Sequence, residues 1–210
     1  MAFIRTKSLD EANGAAAAMY LRQQASWGYL PNYAKVFCHR PEVLARWGQL
    51  LAEMKRPMDK RRFELVTFVA AHELRNSACT LAHGRALKEF FGDHDIMAIA
   101  AESCDSVLGD AEQAMLRFAR KVARDASAVT SADVEELTRQ GFTDAEVFDI
   151  AAVTAGRAFF AKVLDALGVH PDSPFLSMDQ PLRSFLTVGR PIDTGACTVL
   201  PSPQLEGSAG

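Results

Sequence analysis

Large apolar residues recur at intervals of three and four along most of this chain. In PEVLARWGQLLAEM they fall at Val43, Leu44, Trp47, Leu50, Leu51 and Met54, the spacing that lines one side of an α-helix, and Pro41 stands where a first-turn proline is tolerated. From Asp59 to Leu74 the chain is apolar nearly all round. A break at Asn76 to Ala78 leads into a second run that carries Cys79 and His83 and ends at Gly92. That pattern predicts a buried helical hairpin. DAEQAMLRFARKVARDA sets Met115, Phe118, Ala119 and Val122 on one side and Arg117, Arg120, Lys121 and Arg124 on the other, which predicts a surface helix.

TSADVEELTRQGF predicts a short helix begun by Thr130 or Ser131 and stopped by Gly141. In TDAEVFDIAAVTAGRAFFAKVLDALG, Thr143 and Glu146 form a capping box and Gly168 closes the helix. Its centre, Ile150 to Leu167, carries too little charge for a single buried stripe, so it predicts a central helix or one shared with another subunit. No stretch alternates with period two and there is no internal repeat, so the fold class expected is all-α. The pattern implies one helical domain over residues 1–170. Residues 171–210, rich in Pro, Ser and Asp, are expected to form an extended C-terminal arm that docks on the body or on a neighbour, with about the last ten residues disordered.

Composition narrows the function. The chain has 210 residues, 49% of them hydrophobic and 23% charged, enough for one sizeable core. A net charge of −3 lacks the basic excess that phosphate backbones select, so nucleic acid is not an expected partner. The longest apolar runs, such as LVTFVAA, fall far short of a membrane span, and the first residues lack the apolar core of a secretory signal. A soluble, cytoplasmic protein is expected. Cys38, Cys79, Cys104 and Cys197 are scattered with no CxxC pair, which argues against a disulfide framework or structural zinc.

Three residues carry candidate chemistry. Glu64 sits between Phe63 and Leu65 in a helix with little polar surface. A buried carboxylate there acquires a raised pKa and acid–base capacity, whereas an exposed edge would simply pair it with Arg61. Cys79 and His83, four apart on a helix, place an imidazole where it can take the thiol proton. The plainer reading is a core cysteine beside a polar-face histidine. A metal site on this pair needs a further ligand, Glu64, His72 or Glu73, and no ligand motif is complete, so no metal is expected. His72 can enter the pocket or meet the carbonyls at its helix end. Trp27, Tyr29 and Tyr33 suit a substrate mouth or plain packing. Arg183 and Arg190 suit an acidic substrate or solvent. GRPIDTG lacks the strand-to-helix context of a phosphate loop.

Taken together, Glu64, fourteen residues, Cys79, three residues and His83 resemble the active-site signature of the alkylhydroperoxidase and carboxymuconolactone decarboxylase (AhpD-like) superfamily: Glu, eleven residues, Cys, two residues, Cys, three residues, His. The glutamate, second cysteine and histidine fall in register. WGYLPNYAKVFCHRPEVLARW and AVTSADVEELTRQGFTDAEVFDIAAVTAGRAFFAKVLDALGV resemble the flanks of its peroxidase-related branch, so the likeness spans roughly residues 25–170. It implies an all-helical bundle assembled as trimers or hexamers, without haem, metal or other cofactor, that reduces hydroperoxides. By position, Cys79 is the peroxidatic thiol, His83 the proton relay and Glu64 its base. The first cysteine of the motif is replaced by Asn76, so no local disulfide can close a redox cycle. An external thiol, or Cys104 if close, would have to resolve the oxidised cysteine. The alternatives are an acid–base decarboxylase or isomerase acting on a small carboxylated compound through Glu64 and His83, and a non-catalytic ligand-binding oligomer.

Overall fold

The computed structural model describes residues 2–104 and 107–195; Cys197 and the expected disorder of the last residues lie outside them. In chain order the helices are α1 (Gly14–Trp27), α2 (Asn32–Val36), α3 (Pro41–Lys55), α4 (Lys60–Glu73), α5 (Ser77–Leu87), α6 (Asp93–Ala100), α7 (Asp110–Asp125), α8 (Ser131–Arg139), α9 (Asp144–Ala166) and α10 (Leu182–Leu186). No strand occurs among the described residues, and none of their helices is long and apolar enough to cross a membrane.

Helix α4 is the axis. The Asp59 side chain caps it by accepting from the Arg62 N–H, and every residue from Phe63 to Ala71 is buried. Leu65, Val66, Phe68 and Val69 are wholly out of water, each such side chain contributing about 1.5–3 kcal/mol of transfer free energy. Thr67 is tolerated in this company because its hydroxyl donates to the Phe63 carbonyl at 2.6 Å. Helices α5, α7 and α9 pack around α4, which accounts for its apolar character on all sides.

The hairpin turns at Arg75, whose φ of 56° lies in the left-handed region. Asn76 then begins α5: its N–H donates to the Ala71 carbonyl at 3.1 Å, and its side-chain oxygen accepts the Cys79 N–H at 2.9 Å. Helix α9 begins with the expected Thr143–Glu146 capping box and buries Ile150, Val153, Thr154, Arg157, Phe160, Ala161 and Leu164 against the body. Its opposite side leaves Phe148 and Phe159 exposed. One core cluster fills the space between α4, α6, α7 and α9. A second gathers Met19, Tyr20, Phe37, Trp47, Cys79 and Phe160, and Leu51 and Met54 touch both.

Two expectations are corrected. Arg120 is not on the surface of α7. It is 5% exposed, its Nη1 donating to Glu73 at 2.9 Å and its Nη2 to the carbonyls of Ile99 and Ala100. Those carbonyls end α6, where no intrahelical donor remains; the guanidinium supplies one. The segment after Pro171 is not extended throughout. It forms a 3-10 turn at Ser173–Ser177 and the short α10, because Phe175, Met178, Leu182 and Leu186 supply apolar side chains that bury in the first cluster. Gly189 then donates its N–H to Ser77 Oγ at 2.7 Å, holding this segment over the start of α5.

Candidate active site

The hairpin brings Glu64, Cys79 and His83 to one cavity of about 390 Å³. His83 Nδ1 and Glu64 Oε2 are 2.6 Å apart, with side chains only 16% and 8% exposed. Burial pushes Glu64 up, but the hydrogen bond and charge of His83, with Lys55 and Arg157 behind it, outweigh this and hold the carboxyl below its ordinary range. Burial and the Arg157 charge depress His83 against the opposing pull of Glu64. At neutral pH the pair is therefore a carboxylate and a neutral imidazole. Nδ1–H donates to Glu64, which leaves Nε2 with a free lone pair as the basic atom.

His83 Nδ1 is engaged with Glu64, and the hydrogen-bond partner of the Cys79 sulfur comes from another helix. Cys79 Sγ lies 3.5 Å from Nη1 of Arg157, which reaches across from the middle of α9. Burial raises the thiol pKa, and the Arg157 charge and hydrogen bond offset this only in part. The resting group is a thiol. Arg157 and the N-terminal turn of α5 both favour the anion that proton removal would create.

Asn76, the residue in place of the motif's other cysteine, is buried and does not line the cavity. Besides capping α5, its amide donates to the Ala161 carbonyl at 3.3 Å and to Asp165 Oδ2 at 2.9 Å. Tyr33 lines the cavity and donates to Gln23, and burial pushes its hydroxyl up to about 12. Trp27 and Tyr29 also stand in the wall. His72 is outside it, its ring set against Phe68 and Phe185. Arg183 donates to the Leu176 and Met178 carbonyls and Arg190 to that of Asp165 at 2.9 Å, so neither faces the cavity. Glu64 is not paired with Arg61, which holds Glu112 at 2.8 Å. Cys79 and Cys104 belong to different core clusters.

Two participants were missed in the sequence. Arg157 is the arginine of the weakly charged stretch Ile150 to Leu167, and its position after Gly156 and before Phe159 and Phe160 is the signal that was available. Asp172 lay in the segment taken as an arm. It accepts the Asn32 N–H at 2.7 Å, and burial raises its pKa to about 6. The large apolar residues of the remaining walls are Leu44, Trp47, Leu51, Phe160, Leu164 and Phe175. A larger hollow of about 650 Å³ runs beneath the N-terminal segment. Its lining is mostly polar and shares with the first cavity only Asp172. The smaller cavity is the candidate site because, unlike the larger one, it combines a nucleophile, a base and a buried cation. Among the described residues no group of three His, Cys, Asp or Glu side chains is arranged to hold a metal ion.

A helical bundle with a central hairpin presenting a thiol and a Glu–His pair is the class this architecture defines. Solved structures share its fold. The alkylhydroperoxidase AhpD core protein from Ralstonia eutropha JMP134, described as an uncharacterized peroxidase-related protein, superposes with a TM-score of 0.73 over 84% of this chain and 95% of its own at 24% identity. An uncharacterized peroxidase-related protein from Silicibacter sp. TM1040 gives 0.69 at 21% identity over 84% and 95%. The debrominase Bmp8 gives 0.70 at 14% identity over 88% and 97%, and a cysteine-to-alanine variant of that debrominase has been solved with 2,3,4-tribromopyrrole. The chain therefore has the AhpD-like fold. No protein-family model and no curated protein matches the sequence.

Proposed function

We propose that the protein is a thiol-dependent oxidoreductase that reduces small organic hydroperoxides at Cys79. The observation that carries this reading is the contact of Cys79 Sγ with the Arg157 guanidinium in the cavity that also holds the Glu64–His83 pair. His83 stands one turn along α5 from Cys79, on the same side of the helix. Its Nε2 takes the thiol proton, and Arg157 stabilises the resulting thiolate. Attack on the terminal peroxide oxygen breaks the O–O bond. The sulfur becomes a sulfenic acid, and the departing alkoxide takes the proton from His83 and leaves as an alcohol. One external thiol then displaces water to form a mixed disulfide, and a second releases reduced Cys79 and carries away the disulfide. With Asn76 at the other motif position, no cysteine three residues away competes for the sulfenic acid.

The test is intact-protein mass spectrometry after one equivalent of an organic hydroperoxide, with a sulfenic-acid trap and Cys79→Ser as control. A rapid adduct confined to Cys79 is expected. Turnover that survives Cys79→Ser but is lost in Glu64→Gln would move the site to acid–base chemistry, decarboxylation or isomerisation of a small carboxylated compound.

The aromatic walls favour a second reading. Trp27, Tyr29, Tyr33, Trp47 and Phe160 line the cavity that holds the thiol, and the fold is shared with a debrominase whose variant binds a brominated pyrrole. Thiol-dependent removal of halogen from a small aromatic ring would use the same Cys79. Bromide release from 2,3,4-tribromopyrrole in the presence of excess thiol would establish it, and its absence alongside peroxide reduction would discard it.

A further inference from the structure

The cavity contains a charge that no ion pair among the described residues answers. Arg157 is 5% exposed, its Nη1 touches a thiol that is neutral at rest, and its Nε has no hydrogen-bond partner among the described residues. No carboxylate of the described residues forms an ion pair with it: Glu64 senses its field, but the Glu64 Oε2 is held by His83. Burying a guanidinium with donors unmet is costly, and structures retain one where something anionic meets it. Around that cation the surface is flat and aromatic. Trp47 and Phe160 are stacked at 5.9 Å with only 13° between their planes, and Arg157 lies over Phe160 at 5.8 Å.

We propose that the ligands of this cavity are planar aromatic monoanions, carboxylates or phenolates, seated with the anionic group on Arg157 and the ring among Trp47, Phe160 and the neighbouring walls. This rests on the reading of the cavity as the substrate site. It adds the feature by which a substrate is selected, since a planar fork of N–H donors matches a delocalised anion and penalises the neutral isostere that leaves it unmet.

The experiment uses the Cys79→Ser protein, so that binding is measured apart from thiol chemistry. The two tryptophans of the chain, Trp27 and Trp47, both line the cavity and report occupancy by fluorescence. Benzoate is expected to bind about tenfold or more tighter than benzamide, about 1.4 kcal/mol. 4-Nitrophenol should bind with its visible absorbance moved toward the phenolate. Arg157→Met should abolish both preferences and Arg157→Lys should keep part of them. Benzamide binding as tightly as benzoate with Arg157 in place would overturn the proposal, and that comparison needs no folded Arg157 variant. A benzoate preference that survives in folded Arg157→Met would overturn it too. Anion preference without sulfenic acid formation in the native chain would sink the peroxidase reading alone, and sulfenic acid formation without anion preference would sink only this one.

Discussion

Replacing Glu64 with glutamine keeps the shape of the hairpin and removes one charge. The Glu64–His83 contact is short, at 2.6 Å, and its side chains are 8% and 16% exposed, so solvent does little to screen it. A hydrogen bond to a charged partner in such surroundings is worth about 1.5–3 kcal/mol. If that difference is expressed in the basicity of His83, proton removal from Cys79 slows by roughly 10- to 100-fold. The direction of the pH effect also follows. Burial and Arg157 already depress His83, and Glu64 opposes them; without the carboxylate the imidazole falls further. The rate of Cys79 oxidation should therefore reach a lower plateau, and its acid limb should lie at lower pH than in the wild type. Stopped-flow oxidation by an organic hydroperoxide from pH ~4 to ~9, spanning ordinary carboxylate and histidine values, measures both. A folded Glu64→Gln protein with wild-type plateau and limb would refute the reasoning. Stability offers a second reading of the same pair. Glu64 is held below its unfolded value, so its contribution is present above the ordinary carboxylate range and is lost as pH falls through its folded value. Urea titration should show the gap between wild type and Glu64→Gln narrowing in acid.

Asp172→Asn should stabilise the protein at pH ~8 and much less at pH ~4. The folded carboxyl is raised to about 6, so the stability it contributes is complete below the ordinary value and lost as pH rises through 6; about two units correspond to an upper figure of about 3 kcal/mol, and a melting-temperature gap independent of pH would contradict this. Gly189→Ala sets a Cβ against the Arg75 carbonyl, a backbone atom that cannot swing away. Overpacking of this kind costs about 1–3 kcal/mol, and faster proteolysis near residue 190 would report release of the segment. Asn76→Cys restores the motif's second cysteine but removes the α5 cap and the donor to Asp165. A loss of about 0.5–2 kcal/mol is expected for the cap alone, by denaturant titration under reducing conditions; unchanged stability would show that the cap contributes nothing.

The helices were legible because their apolar spacing is regular: α3, α4, α7 and α9 follow from it almost residue for residue. What the spacing could not supply was the identity of the element lying across each face. It placed Cys79 and His83 on one side of one helix. Whether the imidazole meets the sulfur or Glu64, and whether the sulfur meets an arginine from α9, depends on how three helices pack. Arg120 was misassigned for a related reason: besides Glu73, its partners are carbonyls at the end of α6, and carbonyls leave no trace in a side-chain pattern. Asp172 was invisible because its segment is rich in Pro and Ser, which conceals the apolar residues Phe175, Met178, Leu182 and Leu186 that fold it onto the body. The resemblance, by contrast, located Glu64, Cys79 and His83 in one step and said nothing of Arg157.

The distance along the chain between Cys79 and the groups that surround it has a consequence for the protein's birth. Arg157 is 78 residues further on and Gly189 is 112 residues beyond Ser77. A ribosome adding about 5–20 residues per second would take on the order of 4–16 s to supply the guanidinium after the thiol, and longer to supply the segment that seats on α5. Through that interval the cysteine belongs to a nascent hairpin, without its cation and without Phe160 and Phe175, the part of the cavity wall that follows it in the chain. On the function proposed for Cys79, its chemistry becomes selective only when the second half of the chain arrives.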